Sequence, residues 1–149
     1  MSAMSPFSEL GVAEKAIRAI LKTAAKDKPV YMLNLVRYRE QAEYRLDDLP
    51  EIRALPPCSG WQAFHERYAP AFLKASEGTE NEVLFYGKHM GILIGEADDE
   101  WDDMILVKYR SADDFYKFIT SEKYSLHAMP HRLAALEDKK WIVYEQNDV

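Results

Sequence analysis

Residues 30–38 read Val30-Tyr31-Met32-Leu33-Asn34-Leu35-Val36-Arg37-Tyr38, and this stretch decides the fold. It follows Pro29, is almost continuously apolar and is rich in residues that suit a pleated surface. Such a run predicts a strand of a buried sheet. Its exception is Asn34, an amide inside what otherwise looks like core. A buried amide without hydrogen-bond partners costs about 1–3 kcal/mol, so Asn34 is the first candidate for a functional site.

The composition favours a single folded domain of 149 residues, long enough to bury a core. The net charge is −6 and no stripe of Lys and Arg is present, which argues against nucleic acid and anionic membranes as partners. The lone Cys58 cannot form an internal disulfide, which fits a reducing cytoplasm. No apolar run approaches the roughly 20 residues of a membrane helix, and no secretion signal is evident. We therefore expect a cytoplasmic protein.

Two segments flank the first strand. Apolar residues at helical spacing predict an amphipathic helix over Ser8–Ala25, within an N-terminal helical extension at 1–29 that precedes the main domain at 30–149. After the strand, Arg39–Gly60 is charged and interrupted by prolines. It predicts a long connection or lid with one helical turn near Leu49–Leu55, and a surface excursion is the favoured interpretation.

The next helix begins at Ser59-Gly60 and carries an aromatic stripe on one face, formed by Trp61, Phe64, Tyr68 and Phe72. Pro70 is expected to kink this helix or to end it near Ala69. A second strand follows at Val83–Tyr86, and Met90–Gly95 is predicted to continue the extended structure.

The remaining elements complete a recognisable order. Residues 104–109 predict a third strand, and residues 111–114 predict the start of a helix that buries aromatic side chains. A second helical piece lies within 124–138, restarted by Pro130, and a last strand covers 141–144. The order strand, helix, strand, strand, helix, strand predicts an α+β, ferredoxin-like βαββαβ fold with an antiparallel four-stranded sheet.

Helices can cover only one face of that sheet, yet the first and third strands are apolar on both faces. The second face therefore needs a cover. A twofold partner is the simplest one and predicts a homodimer, whereas the Ser8–Ala25 helix is the competing cover and would leave a monomer.

Several segments carry a resemblance to the domain-of-unknown-function 1330 family. They are Tyr31-Met32-Leu33-Asn34-Leu35 before an aromatic helix, Trp101-Asp102 before the third strand, the segment 109–115, and Tyr124 with Arg132-Leu133-Ala134-Ala135-Leu136. The similarity spans about Val30 to Glu145 and implies a dimeric α+β barrel. The N-terminal helix and the Arg39–Gly60 insertion depart from the family pattern. The superfamily includes cofactor-free monooxygenases, haem-handling enzymes, lactone isomerases and non-catalytic ligand binders, so the resemblance implies no single reaction.

Candidate site residues follow from their chemistry. Asn34 can present a donor and an acceptor to an apolar cleft, or its amide can satisfy a neighbouring backbone. His65, at the edge of the aromatic stripe, can act as an acid or base near neutral pH. The candidate substrate-binding residues are Tyr68, Tyr86, Trp101, Asp102, Tyr109 and Arg132. Asp102 can orient Arg132 or a ligand, or its carboxylate can cap a turn.

We expect no metal site and no tightly held cofactor. His127 and His131 have the spacing of helical metal ligands, but Pro130 is expected to interrupt the helix between them. The predicted function is binding of, or catalysis on, a small aromatic or carbonyl compound by a homodimer, in an oxygenase-like or isomerase-like reaction. In the alternative, a non-catalytic or stress-related module holds a metabolite in the same cleft.

Overall fold

The computed structural model describes residues 10–148, and these form one antiparallel sheet with helices packed on one side. The strands are β1 (Val30–Tyr38), β2 (Glu82–Lys88), β3 (Asp103–Tyr109) and β4 (Leu136–Tyr144). Their spatial order is β2-β3-β1-β4, and every neighbouring pair is antiparallel. This is the ferredoxin-like βαββαβ arrangement, which confirms the predicted fold class.

The helices follow in chain order. They are α1 (Glu14–Thr23), α2 (Pro50–Arg53), α3 (Gly60–Gln62, Ala63–Tyr68 and Ala69–Ala75 in succession), a 3₁₀ turn at Ala97–Asp99, α4 (Ala112–Thr120), α5 (Glu122–His127) and α6 (Met129–Ala135). In the described residues 10–148, no helix is long and apolar enough to cross a membrane.

Strand β1 runs through the middle of the sheet, and its side chains alternate between two environments. Val30, Met32, Asn34 and Val36 are buried on the helix side, as are alternate residues of the neighbouring β3. The almost continuously apolar stretch is therefore a central strand, and Asn34 faces the helices.

Helix α1 packs on the same side of the sheet as the other helices. Leu10 and Ile17 are buried in one cluster with Met32 and Phe115. The proposal that this helix covers the opposite face is therefore wrong. Ser8, where the predicted helix begins, lies outside the described residues. Gly11 takes a φ of 78°, which ends any helix there, so α1 begins at Glu14.

Helix α3 continues through Pro70, so the predicted end near Ala69 is wrong. The preceding turns, Ala63–Tyr68, are π-helical, and the N–H of Ala69 bonds to the carbonyl of Phe64. This wider turn re-registers the backbone, so Pro70 falls in the first turn of the following α-helical segment.

Two other boundaries differ from the prediction. Strand β4 begins at Leu136, which pairs with Tyr38, so the predicted helix to Asp138 and the strand start at 141 are both displaced. Residues 137–140 are charged and lack the apolar pattern of a strand, because β4 lies at the edge of the sheet and these residues are largely exposed to solvent. The predicted extension at Met90–Gly95 is wrong, because β2 ends at Lys88 and the following segment exposes Met90 fully.

The connection between β1 and α3 is fastened to α6. Glu43 N–H bonds to the carbonyl of Ala134, and Arg39 N–H bonds to that of Ala135. The predicted helical turn is α2, which buries Ile52. The connection is thus an ordered part of the wall beside the helices.

The opposite face of the sheet carries apolar side chains without cover. Phe85 is 53% exposed, Tyr144 is 52% exposed and Ile142 is 38% exposed. Leu33 and Leu106, paired at the centre of this face, are half-buried by their neighbours in the sheet.

Candidate functional site

An apolar cavity of about 200 Å³ lies between the helix side of the sheet and α3. Its walls are mostly aromatic and aliphatic, and they include Phe64, Phe72, Leu73, Val83, Ile105 and Val107. Polar groups reach it from Asn34, Tyr68, Tyr86, Tyr109, Arg132 and Trp141. A mostly apolar cavity with a few converging polar groups is the usual form of a small-molecule site.

The cavity opens at the edge strand β2. Leu73, Val83 and Tyr86 on this side are exposed, whereas Asn34 and Arg132 at the inner end are buried. One register row crosses the sheet from the inner end to the mouth, because Trp141 pairs with Asn34, Asn34 with Ile105, and Ile105 with Tyr86.

The amide of Asn34 is fully engaged by the protein. Its Nδ2 donates to the carbonyls of Met32 and Ile105 at 3.2 and 3.3 Å. Its Oδ1 accepts from Nη1 of Arg132 at 3.3 Å and from Nε1 of Trp141. An amide offers two donors and two lone pairs, so Asn34 holds its neighbours and has no free group to offer a ligand.

Arg132 projects from α6 onto the inner end of the cavity. It is 3% exposed, and its guanidinium carbon lies 4.6 Å from the ring centroid of Trp141 and 5.8 Å from that of Tyr68. Within residues 10–148 no ion pair joins it to a carboxylate. Asn34 and the two rings therefore place a buried positive charge at the cavity wall.

The other inner phenols are buried groups. Tyr68 and Tyr124 share a hydrogen bond of 3.1 Å between their hydroxyls. Burial raises the pKa of Tyr109 and of Tyr124 well above the ordinary value. Of these two, Tyr109 lines the cavity, and its protonated hydroxyl does not serve as a base at neutral pH.

A second polar cluster lies beside the mouth. His65 Nε2 is 3.1 Å from Oδ2 of Asp103, whose side chain is 8% exposed. Tyr38 donates its hydroxyl hydrogen to the same carboxylate oxygen. Tyr86, which lines the cavity, has its hydroxyl 3.1 Å from the His65 ring nitrogens. The arrangement connects the cavity wall to a histidine–carboxylate pair.

The packing of His65 fixes its ring. The imidazole stacks between Trp61, at 4.2 Å between centroids, and Tyr86, at 5.1 Å. Burial raises the pKa of Tyr86 to about 12, and burial followed by the bond to Asp103 raises the pKa of Tyr38 well above its ordinary value. Both phenols are therefore neutral at neutral pH.

The structure separates the sequence-predicted residues into two groups. Asn34, Tyr68, Tyr86, Tyr109 and Arg132 line the cavity, and His65 contacts Tyr86 directly behind its wall. The other two, Trp101 and Asp102, do not line the cavity.

Trp101 and Asp102 lie outside the cavity wall. Arg37 stacks on the Trp101 ring at 3.9 Å, and Oδ2 of Asp102 accepts from the backbone N–H of Tyr38 at 2.8 Å. Asp102 therefore does not orient Arg132. It fastens the end of β1, and Asn34 holds Arg132 instead.

Three residues of the site were missed in the sequence. The sequence pattern places Trp141 only in the last strand and Tyr38 at the end of the first, and it gives Asp103 no role. Strand register brings Trp141 beside Asn34 and places Asp103 opposite Val36. In the described chain, no group of three His, Cys, Asp or Glu side chains has the arrangement of a metal site.

Comparison with known proteins gives a matching fold without an assigned activity. No family model matches the chain, and no curated protein matches it in sequence. The chain is similar to the crystal structure of the methylated RPA0582 protein, at 27% identity and a TM-score of 0.75, over 91% of this chain and 93% of that one. It is likewise similar to a crystal structure of the RPA0582 protein, of unknown function, from Rhodopseudomonas palustris. There the identity is 26% and the TM-score 0.75, over 92% of this chain and 95% of that one.

Proposed function

We propose that the cavity binds a small, largely apolar aromatic or carbonyl compound, and that Tyr86, His65 and Asp103 move a proton to or from it. The observation that carries this proposal is the double position of Tyr86. Its side chain lines the cavity, and its hydroxyl contacts an imidazole that is itself paired with a buried carboxylate. A histidine oriented by a carboxylate is a common general acid–base unit.

The size of the cavity favours a compound with one ring. A dry apolar cavity of roughly 150 Å³ in another protein accommodates benzene. A volume of about 200 Å³ is therefore on the scale of a substituted single ring. It is too small for haem, and His65 stands behind the wall instead of facing the cavity, so the residues present do not fit that cofactor.

The proton can pass in either direction along the three groups. The Tyr86 hydroxyl lies over the face of the stacked imidazole, so the transfer requires it to move into the ring plane at Nδ1. A substrate hydroxyl can then give its proton to Tyr86 while Tyr86 passes its own to His65, and Asp103 stabilises the resulting imidazolium. In reverse, Tyr86 donates to a carbonyl oxygen and is reprotonated by His65. Neither direction requires a bound cofactor for the proton step.

The experiment is a screen of phenols, quinols and lactones under oxygen, scored for turnover and for thermal shift. Tyr86→Phe keeps the ring but removes the hydroxyl, so we expect turnover of any substrate found to fall by about 10² or more while its thermal shift remains. Tyr116→Phe in α4, away from the cavity, is the matched control and should keep full turnover.

Two results would contradict the catalytic role. Thermal shifts without turnover across the screen would favour the non-catalytic binding module, in which the same cavity holds a metabolite. Full turnover by Tyr86→Phe would remove the proton relay from the reaction.

We also propose that a second copy of the chain covers the open face of the sheet. Support comes from the uncovered side chains of Phe85, Ile142 and Tyr144, together with the placement of α1 on the other side. Leucine and isoleucine in the adjoining segment, Leu93 and Ile94, are also fully exposed. A twofold pairing of apolar faces would remove all of these from water at once.

Light scattering during size exclusion tests the pairing. We expect twice the chain mass of 17.2 kDa for the wild type. Leu106→Lys, at the centre of the face, should give the single-chain mass, whereas Leu46→Lys on an exposed loop should leave the pair intact. A wild-type mass of one chain at every concentration would overturn the proposal.

A further inference from the structure

We infer that the ligand of the cavity carries a carboxylate, and that this group binds Arg132. The inference deepens the proposed function and rests on it, since it names the substrate class of the same cavity. Arg132 would be a binding residue at the inner end, remote from the proton relay at the mouth.

The first argument is that Arg132 has no counter-charge among residues 10–148. A guanidinium has five N–H donors, and in residues 10–148 the acceptor bonded to Arg132 is Oδ1 of Asn34, a neutral oxygen. The side chain is 3% exposed and lines the cavity. Buried charges are normally paired, because an isolated charge is costly to remove from water. A carboxylate entering the cavity would supply the absent partner with charge-assisted hydrogen bonds.

The second argument is that the charge is held in position before any ligand arrives. The rings of Trp141 and Tyr68 flank the guanidinium, and Nη1 is bonded to an amide that four hydrogen bonds immobilise. A guanidinium fixed in this way loses little freedom on binding a planar carboxylate. This fixed placement is what a recognition site needs.

The third argument is a second cation nearby. Arg132 and Trp141 also form part of the wall of another cavity, of about 340 Å³, beneath α1, and Lys139 lines that cavity too. Burial, and then the charge of Arg132, lower the pKa of Lys139. Two cations at adjoining walls give this end of the protein a positive potential that favours an anion.

The sheet register gives the reach between anchor and relay. Neighbouring strands are about 4.8 Å apart, so the backbones of Tyr86 on β2 and of Asn34 on β1, whose amide holds Arg132, are separated by about 10 Å. A single ring with a carboxylate at one end and an oxygen at the opposite end spans this separation once hydrogen bonds are added at both ends. Para-hydroxylated aromatic acids are therefore suitable probes.

The experiment compares one-ring acids with their amides by calorimetry, using 4-hydroxyphenylacetate and 4-hydroxyphenylacetamide as the leading pair. We expect the wild type to prefer the acid. Truncating one partner of a buried charge pair costs 2–5 kcal/mol or more, so Arg132→Met should weaken acid binding by at least about 30-fold. Arg132→Lys, which keeps the charge and loses the planar fork, should give an intermediate loss.

Lys139→Met is the matched control, since it removes the same charge from the neighbouring cavity. We expect a loss of acid affinity below about 3-fold from this variant, because a screened charge without direct contact contributes little.

The outcomes separate this inference from the function on which it rests. Equal binding of acid and amide, unchanged in Arg132→Met, would overturn the carboxylate anchor and leave a ligand cavity in place. A Lys139→Met loss as large as that of Arg132→Met would put the anion in the second cavity and overturn the assignment to the first. Failure of every acid and amide to bind would overturn the carboxylate anchor, and the screen of phenols, quinols and lactones would then decide the proposed function separately.

Discussion

Acidification should destabilise this protein through His131, whose ring is buried against the connection between β1 and α3. The residue is 7% exposed, and Nδ1 lies 2.7 Å from the hydroxyl of Tyr44. Arg67 donates to the same hydroxyl at 3.2 Å, which leaves the phenol hydrogen for Nδ1. His131 is thus an acceptor in its neutral form, and protonation would set two donors against each other.

The magnitude follows from the two pKa values. Burial, and then the charge of Arg67, lower the pKa of His131 from 6.5 to about 4. The unfolded chain therefore binds this proton below pH 6.5, whereas the folded chain binds it only below about pH 4. The two pKa values differ by about 2.5, and each pKa unit corresponds to 1.36 kcal/mol. The free energy of unfolding therefore falls by about 3 kcal/mol between pH 6.5 and pH 4. Above that window His131 contributes full stability, and below it no further loss arises from this residue.

Urea unfolding at pH 7.5, 6.0, 5.0 and 4.0 measures this loss. His131→Asn is the control, because its amide oxygen can accept from Tyr44 near the position of Nδ1 but does not titrate. We expect the wild-type free energy of unfolding to fall by about 3 kcal/mol more than that of the variant over this range. Parallel pH profiles for the two proteins would refute the account, since titration of all other groups is common to both.

Two further substitutions test the packing around the site. Gly60→Ala would place a Cβ 2.3 Å from the carbonyl oxygen of Arg39, so we expect a loss of about 3 kcal/mol by chemical unfolding. Gly91→Ala, with open space around its Cβ, should change stability by less than about 0.5 kcal/mol, and equal effects would contradict the reasoning. Asn34→Ala would leave two buried donors without their acceptor and should cost about 2–4 kcal/mol. Adding Trp141→Phe removes one orphaned donor, so a double-mutant cycle should show a coupling of about 1 kcal/mol or more, and strict additivity would count against the bond.

The fold was predictable because its core strands carry a strong local signal. The apolar run at 30–38 and the segment at 104–109 could be recognised without knowledge of their partners. The start of β4 could not, because residues 137–140 are charged and only pairing with β1 makes them a strand. Passage of α3 through Pro70 was equally hidden, since the π-helical turn that permits it has no simple sequence signal.

The site was predictable only in part, and strand register explains the division. Asn34 was conspicuous as a polar residue in an apolar run, and aromatic spacing marked the helix that bears His65 and Tyr68. Trp141 and Asp103 gave no such signal. Their importance arises from neighbours that are distant in the chain, and pairing between strands is a global property that local patterns do not specify.

The arrangement of polar groups on β1 links stability to recognition at one position. Asn34 satisfies two backbone carbonyls in its own sheet with Nδ2, and with Oδ1 it holds the indole of Trp141 and the guanidinium of Arg132. Any change at Asn34 therefore acts on the cavity through Arg132, even without contact between the amide and a ligand. Asn34 is a positioning residue if Asn34→Ala weakens ligand affinity in the wild-type background but causes no further loss in the Arg132→Met background. An additional loss in the double variant would require a direct contact, which the fully engaged amide does not allow.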